Sequence, residues 1–402
     1  MITEVLKRPG LLRVREAMLE RGFDIRIVGG AVRSHLLGVT AADIDLCTNA
    51  NPDEQIAVYE AAGFRYIATG LQHGTITVVV PEEDHYEITS LRTETDHDGR
   101  HATVSYTRDW AGDLARRDLT INAMALTFEG EVIDPFGGQV DLAERRVRFV
   151  GDPAERMRED YLRILRWLRF HARIAGHRPL DTEAARAARD CARNLGETIS
   201  RERVWMEMAK IVVGPAATAM MRAVEDLGLA PFLNLPEGDL AGFEAVTGRD
   251  LSPSVMMAAY LRFDVPAIQK LATAWRWSTE ELELARFVSQ LAPEPVLDYR
   301  RLMTMRGMMH GELSAAYRKA IGETARARGE DADTVDFVAA FNPPICPVNG
   351  DDLMDLGLKQ GPQVGVAFRR LRTLWYDAGC PTSRESTLGL ARRAIDEATS
   401  KG

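Results

Sequence analysis

A double glycine and two aspartates near the N-terminus are the residues of this chain that most directly suggest chemistry. Gly29 and Gly30 follow an apolar run, and Arg33 comes three residues later. Glycine has no Cβ, so such a pair lets a backbone approach a phosphate, and arginine adds a planar fork of donors. Asp43 and Asp45 point to the same side if they lie on one strand. Two such carboxylates suit a pair of Mg²⁺ ions and in-line phosphoryl or nucleotidyl transfer.

Each motif alone also has an ordinary structural explanation, as a tight turn with a surface arginine or as a solvated acidic loop. Together, and in this order, they resemble the nucleotidyltransferase superfamily of DNA polymerase beta. More narrowly, they resemble the class II group that contains bacterial and eukaryotic CCA-adding tRNA nucleotidyltransferases and bacterial poly(A) polymerases. This family usually has Asp at the position of Ser34, whose hydroxyl we expect to cap the following helix instead.

Glu87, in the middle of a predicted strand, is the third candidate carboxylate. A carboxylate there is costly to bury unless a metal ion or a donor pairs with it. In the family this strand carries the third active-site carboxylate, which makes Glu87 the matching residue. A solvent-exposed glutamate on the face of a strand is the alternative interpretation.

Residues 116–123 resemble the family motif R-R-D-x-T-x-N-A, which recognises ribose and phosphate. Arg117 can hold a phosphate, and Asp118 can accept a hydrogen bond from a ribose 2′-hydroxyl, the group that distinguishes RNA from DNA. As plain structure, the same segment would be a capped helix start with Asp118 at its N-terminus.

Residues 159–169 resemble the family motif E-D-x-x-R, in which Asp and Arg act as a protein template for the incoming base. On one helix, Asp160, Arg163, Arg166 and Arg169 would recur every three residues and form a polar stripe. Asp160 can accept from an exocyclic amine, and Arg163 can donate to a ring nitrogen or a carbonyl. Cytosine and adenine offer an amine beside an acceptor, whereas uracil and guanine present a carbonyl in the amine's place, so the pair would select CTP and ATP. We expect Arg166 and Arg169 to lie along the triphosphate or the primer.

Composition excludes several other classes of protein. The chain has 402 residues, 46% of them apolar, and no apolar run approaches the roughly 18 residues that a membrane span needs. The first 22 residues mix charges with apolar residues, which is unlike a signal peptide. The cysteines are scattered without C-x-x-C spacing, which argues against zinc and disulfides and leads us to expect a cytoplasmic protein. The sequence also lacks the G-x-G-x-x-G and Walker A fingerprints.

The net charge of −9 is unusual for a protein that binds RNA, but the charge is unevenly distributed. Between Arg145 and Arg173 there are nine arginines against four acidic residues. A local basic stripe of this kind is the expected electrostatic footprint of nucleic-acid binding, although a solvated helix face gives the same pattern.

The elements that must position these residues predict an α+β fold. Strands are predicted at 26–28, 44–48, 75–80, 86–91 and 132–134, with a helix at 54–62, and the pattern becomes almost entirely helical from about Pro153. The polar segment 93–108 is predicted to be a long mobile loop that helps the switch from C to A addition. We therefore expect a small sheet-bearing nucleotidyltransferase head (1–145), followed by a helical neck (146–235), body (236–340) and tail (341–402), the tail being a possible tRNA contact.

The resemblance implies template-independent addition of CMP and AMP, from CTP and ATP, to the tRNA 3′ end, with Mg²⁺ as cofactor and release of pyrophosphate. Poly(A) polymerase, CC-only or A-only addition, and an inactive RNA-binding protein are the alternatives. No membrane or protein partner is implied. The expected catalytic residues are Asp43, Asp45 and Glu87, with the metal on Asp43 and Asp45. The expected nucleotide-binding residues are Gly29, Gly30, Arg33, Arg117, Asp118, Asp160, Arg163, Arg166 and Arg169.

Overall fold

The computed structural model describes residues 2–41, 43–71, 74–80, 85–95, 103–310 and 313–399. These residues form two compact units. The first runs to Glu237 and includes Ala274–Arg276, and the second comprises Gly238–Thr273 and the chain from Trp277 onward. A sheet with short helices is followed by helices alone, so the predicted α+β class is confirmed.

Strands are confined to the N-terminal part of the first unit. Seven of them form one sheet in the order β3-β4-β5-β2-β1-β8-β9, and β6 pairs with β7 in a separate hairpin. Within the described part of the large sheet, β2 and β5 are the only parallel neighbours. The strands are β1 (Ile25–Val28), β2 (Asp45–Thr48), β3 (Arg65–Gly70), β4 (Thr75–Val79), β5 (His85–Ser90), β6 (Arg92–Thr95), β7 (Thr103–Tyr106), β8 (Ala125–Leu126) and β9 (Val132–Ile133).

The predicted loop at 93–108 was wrong at both of its ends, because β6 and β7 pair there in antiparallel register from Arg92↔Tyr106 to Thr95↔Thr103. The segment is polar and rich in threonine, and such a composition does not distinguish a loop from two short strands. Successive side chains of a strand point to opposite faces, so a short polar strand has no continuous apolar run. The middle of the predicted loop, 96–102, lies outside the described residues. All five predicted strands overlap strands of the structure, whereas β3, β6, β7 and β8 were not predicted.

Helices connect the strands and form the rest of the chain. In the first unit they are α1 (Ile2–Val5), α2 (Pro9–Glu20), α3 (Gly30–Leu36), α4 (Pro52–Ala61), α5 (Trp110–Ala115), α6 (Gly138–Ala143), α7 (Pro153–Glu159), α8 (Arg163–Ile174), α9 (Thr182–Thr198), α10 (Arg201–Val212) and α11 (Ala217–Asp226). From there on they are α12 (Leu240–Val246), α13 (Pro253–Tyr260), α14 (Val265–Trp275), α15 (Thr279–Leu291), α16 (Tyr299–His310), α17 (Ala315–Arg328), α18 (Ala332–Ala340), α19 (Gly350–Asp355), α20 (Pro362–Asp377) and α21 (Arg384–Thr399). No helix among the described residues is long and apolar enough to cross a membrane.

Local capping fixes where α4 begins, which in turn carries the chain from β2 to β3. The Asn51 side chain accepts from the backbone N–H of Glu54, and the Glu54 side chain accepts from the N–H of Asn51. This reciprocal pair satisfies two backbone donors that a helix start leaves without partners. The structure thereby confirms the helix start predicted at Asn51-Pro52-Asp53.

A buried polar contact joins α6 to the short 3-10 turn Thr120–Asn122. The Thr120 hydroxyl donates to the Asp141 carboxylate at 2.6 Å, and Asp141, which is fully buried, also accepts from Arg148 Nε at 3.0 Å. Gly138, at the start of α6, lies so close to the turn that a Cβ would be 2.3 Å from the Thr120 carbonyl oxygen. The close approach fixes the position of the turn, which carries Asn122 into the candidate site described below.

We predict that Gly138→Ala lowers the free energy of unfolding by about 3 kcal/mol, because the new methyl group must displace backbone. Gly137→Ala is the matched control, since Gly137 has φ +75° and open space around it, so that its cost is limited to about 1 kcal/mol of backbone strain. Urea unfolding followed by circular dichroism measures both. Equal stability of the two variants would contradict the packing argument.

Candidate active site

A strongly basic cavity of about 430 Å³ lies in the first unit. Seven arginines face three carboxylates in it, which leaves an excess of positive charge. A cavity of this size and charge suits a small polyanion. It is lined by Gly30, Arg33, Asp45, Arg116, Arg117, Asp118, Asn122, Asp160, Leu162, Arg163, Arg166, Arg169, Phe170 and Arg203.

The two glycines have different roles at the turn between β1 and α3. Gly29 has φ +71°, and a Cβ there would lie 2.6 Å from Arg117 Nη1. Gly29 therefore admits the Arg117 side chain, and Gly30 is the glycine that faces the cavity. The prediction that Ser34 caps this helix was wrong, because Ser34 is buried in the interior of α3.

Arg33 is buried beside other arginines. Its guanidinium donates to the Asn122 side-chain carbonyl and lies 4.7 Å from the centre of the Phe170 ring. Burial, followed by the charges of Arg173 and Arg169, lowers the pKa of Arg33 to about 10, so that it remains protonated at neutral pH. A bound anion would relieve this repulsion.

The Asp118 carboxylate is buried and surrounded by donors of the protein. Oδ1 accepts from Leu119 N at 2.9 Å and Asn122 Nδ2 at 3.2 Å, and Oδ2 accepts from Arg166 Nε at 2.8 Å, with Arg166 Nη2 at 2.7 Å. Burial raises the pKa of Asp118, but the charge of Arg166 and these hydrogen bonds outweigh it and leave the pKa lowered. A carboxylate has about four acceptor positions, so the three hydrogen bonds leave at most one for a ribose hydroxyl.

Asp160 and Arg163 both line the cavity, but they do not share one helix as predicted. The chain leaves helical geometry at Asp160 (φ −154°, ψ 104°), which ends α7, and Arg163 begins α8. Asp160 uses two of its acceptor positions, for Leu162 N at 3.1 Å and Arg203 Nη2 at 2.7 Å. Arg163 donates to Glu159 Oε2 at 2.5 Å and to the Arg156 and Arg116 carbonyls. Both side chains therefore keep hydrogen-bonding capacity for a ligand.

Buried carboxylates hold the remaining arginines of the cavity. Arg169 Nε lies 2.6 Å from Glu207 Oε2, and burial lowers the pKa of Arg169. Asp113 lies 2.9 Å from Arg116 Nη2 and 3.6 Å from Arg117 Nη2. These ion pairs with buried carboxylates orient the basic side chains before any ligand binds.

The three predicted catalytic carboxylates lie on or beside neighbouring parallel strands. Asp45 begins β2, is exposed and lines the cavity. Asp43 is exposed and precedes the strand, as the predicted strand at 44–48 implies, so the same-side argument, which needs both aspartates on one strand, does not apply. Glu87, on β5, is exposed, and β5 pairs with β2 from Leu46↔Ile88 onward, which makes Glu87 the neighbour of Asp45. Because Glu87 is exposed, the cost of burying a carboxylate gives no reason to expect a metal ion or a donor beside it. Asp43 and Glu87 are outside the cavity lining.

No group of three or more His, Cys, Asp or Glu among the described residues is arranged to hold a metal ion by itself. Mg²⁺ typically uses one or two carboxylates and completes its shell with water and substrate phosphates. Exposed carboxylate oxygens beside a cavity for a polyanion fit that chemistry.

Sequence reasoning did not select Arg116, Asn122, Phe170 or Arg203 as site residues. Asn122 is part of the motif that identified Asp118, and Phe170 follows Arg169 directly. Arg203 is distant in sequence, and only its contact with Asp160 reveals it.

We predict that Asp118→Asn weakens binding of ribonucleoside and deoxyribonucleoside triphosphates by the same factor, roughly tenfold. The substitution removes the charge that holds Arg166 but no contact with the 2′-hydroxyl. Steady-state KM values for ATP and dATP measure it, and Asp352→Asn, which alters a buried ion-paired carboxylate of the second unit, is the control. A selective loss of discrimination against dATP would show instead that Asp118 contacts the ribose.

Two family models match the N-terminal 240 residues of the chain. One, described as the poly A polymerase head domain, matches residues 25–148. The other, described as a probable RNA and SrmB-binding site of polymerase A, matches residues 179–240.

Curated relatives match nearly the whole chain. The mitochondrial CCA tRNA nucleotidyltransferase 1 of Danio rerio is 36% identical over 398 residues, which cover 96% of this chain and 91% of the relative. The CCA-adding enzyme of Streptococcus gordonii is 31% identical and covers 93% of this chain and 94% of its own.

Solved structures of CCA-adding enzymes are also similar to this chain. The CCA-adding enzyme of Bacillus stearothermophilus, determined in complex with CTP, is 26% identical, with a TM-score of 0.75 over 98% of this chain and 100% of that one. The Thermotoga maritima CCA-adding enzyme, complexed with tRNA, shares the fold at 18% identity and a TM-score of 0.64. With identity above 30% along almost its full length, the chain belongs to the family of CCA-adding tRNA nucleotidyltransferases.

Proposed function

We propose that this chain adds CMP and AMP, from CTP and ATP, to the 3′ end of tRNA and releases pyrophosphate. The observation that carries the proposal is the basic cavity, in which Asp45, Asp160 and Arg163 face the same space. Relatives named for CCA addition, one solved with CTP, support the same reaction.

In this proposal, one set of cavity residues binds the triphosphate and another binds the base. Arg33 and Arg117 hold the triphosphate, together with the Gly30 backbone, and Arg166 and Arg169 extend the positive surface toward the triphosphate or the primer. Asp160 and Arg163, with their remaining acceptor and donor positions, contact the edge of the base. Asp118 contributes through Arg166 and Asn122, which it holds in position.

Nucleotidyl transfer in this family depends on a divalent metal ion. We propose Mg²⁺, held by Asp43 and Asp45 with Glu87 as the third carboxylate. When bound, the metal neutralises charge on the triphosphate and lowers the pKa of the primer 3′-hydroxyl. The side chains orient the triphosphate for in-line attack and exclude bases that leave Asp160 and Arg163 without partners.

The predicted cytoplasmic location stays a prediction, since the Danio rerio relative carries a mitochondrial name. The division into head, neck, body and tail also stays a prediction, finer than the two compact units.

The decisive experiment incubates the purified chain with tRNA that ends at the discriminator base, with CTP and ATP separately and together, and resolves the products on a sequencing gel. We expect two additions with CTP alone and termination after C, C and A with both. Asp45→Ala should lower turnover by orders of magnitude while remaining folded, because the transition state loses its metal ligand. Asp53→Ala, which changes an exposed aspartate of α4, is the control.

Long A tails on unstructured RNA without CTP incorporation would identify a poly(A) polymerase instead. RNA binding without any incorporation would identify an inactive RNA-binding protein.

A second prediction concerns nucleotide choice. Asp160→Ala should relax discrimination against UTP and GTP more than it weakens triphosphate binding, with about 1–3 kcal/mol lost for the contact with the base. Competition between the four labelled triphosphates measures the ratio. Asp152→Ala, which removes the cap at the other end of α7, controls for local loss of helix. Unchanged selectivity in Asp160→Ala would place base recognition elsewhere.

A further inference from the structure

Three arginines lie together in the second unit, where α16 and α20 pack against each other. Arg372 Nη1 donates to the Met305 carbonyl at 3.2 Å, which brings it beside Arg306. Arg369 lies one turn earlier on α20, and its side chain is exposed, as is that of Arg306. We call Arg306, Arg369 and Arg372 the arginine cluster.

Within the described part of the chain, no carboxylate lies within 4 Å of any member of the arginine cluster. Asp298 and Asp377 lie at the other end of this pair of helices, where they contact Tyr376 and Arg301, and Glu397 is paired with Arg370. Burial, then the charges of Arg369 and Arg306, lowers the pKa of Arg372, and its buried Nε has no acceptor among the described residues. The charges of Arg369 and Arg306 therefore oppose that of Arg372, which has no carboxylate partner, while Arg306 also lies 5.2 Å from the centre of the Tyr317 ring.

We propose that the arginine cluster binds phosphates of the RNA backbone. Guanidinium forks match phosphate oxygens, and neutralising the cluster removes a repulsion that the folded chain otherwise bears. A net charge of −9 disfavours RNA binding at long range, so affinity depends on local sites of this kind. A free phosphate or triphosphate offers the same oxygens, and the experiment separates these sources. The proposal rests on the proposed function, because it assumes that RNA is the substrate.

Arg369 and Arg370 provide a matched pair of variants on one helix. Both side chains are exposed, but Arg370 is already ion-paired with Glu397, whereas Arg369 is not. We expect Arg369→Gln to weaken binding of tRNA lacking its CCA end about fivefold to tenfold, and to reduce the slope of log affinity against log salt by about 1. Arg370→Gln should change affinity less than about twofold. Fluorescence anisotropy with labelled tRNA measures both, and circular dichroism checks folding.

The KM values for CTP and ATP should be unchanged in Arg369→Gln, and inorganic phosphate at millimolar concentration should not displace tRNA. Weaker nucleotide binding with tRNA binding intact would assign the cluster to free triphosphate and overturn the proposal, as would equal losses in the two variants or none. Failure of the wild-type chain to extend tRNA refutes the proposed function alone, because the binding comparison still decides the role of the cluster. A wild-type chain that binds no RNA overturns both.

Discussion

The organisation of the candidate site depends on repulsion between arginines that must share one small cavity. Seven guanidinium groups cannot lie together unless carboxylates hold them from the protein side. Asp113, Asp118 and Glu207, which are themselves buried, pair with four of the seven, and the guanidinium groups still line the cavity. Folding therefore already includes the free-energy cost of bringing these positive charges together, before a triphosphate binds.

The same constraint separates two kinds of aspartate in the cavity. Asp118 accepts three hydrogen bonds from the protein and holds other residues in place, whereas Asp160 accepts two and is half-buried at the break between two helices. A motif shows which residue types are present, but the number of free acceptor positions is a property of the folded neighbourhood. The number of free acceptor positions distinguishes a carboxylate that holds other side chains in place from one that can accept hydrogen bonds from a ligand.

Much of this site could be predicted from sequence because its residues are close together in short motifs. The turn at Gly29, the pair at Arg117 and Asp118, and the arginines of α8 all come from such segments. The helix break at Asp160 was not predictable from periodicity, because a three-residue spacing continues across it. Arg203 and the pairing of β6 with β7 were missed because both depend on contacts between distant segments.

The parallel pairing of β2 with β5 has a consequence for how the chain acquires its activity during synthesis. Asp45 and Glu87 are about 40 residues apart in the chain, with α4, β3 and β4 between them, and they are neighbours only where β5 pairs with β2. Parallel strands need such a crossover, and contacts of large sequence separation form slowly. A nascent chain that has emerged only as far as β2 carries one carboxylate without its neighbour. A reaction that uses both carboxylates, as proposed above, therefore requires that β5 has joined the sheet.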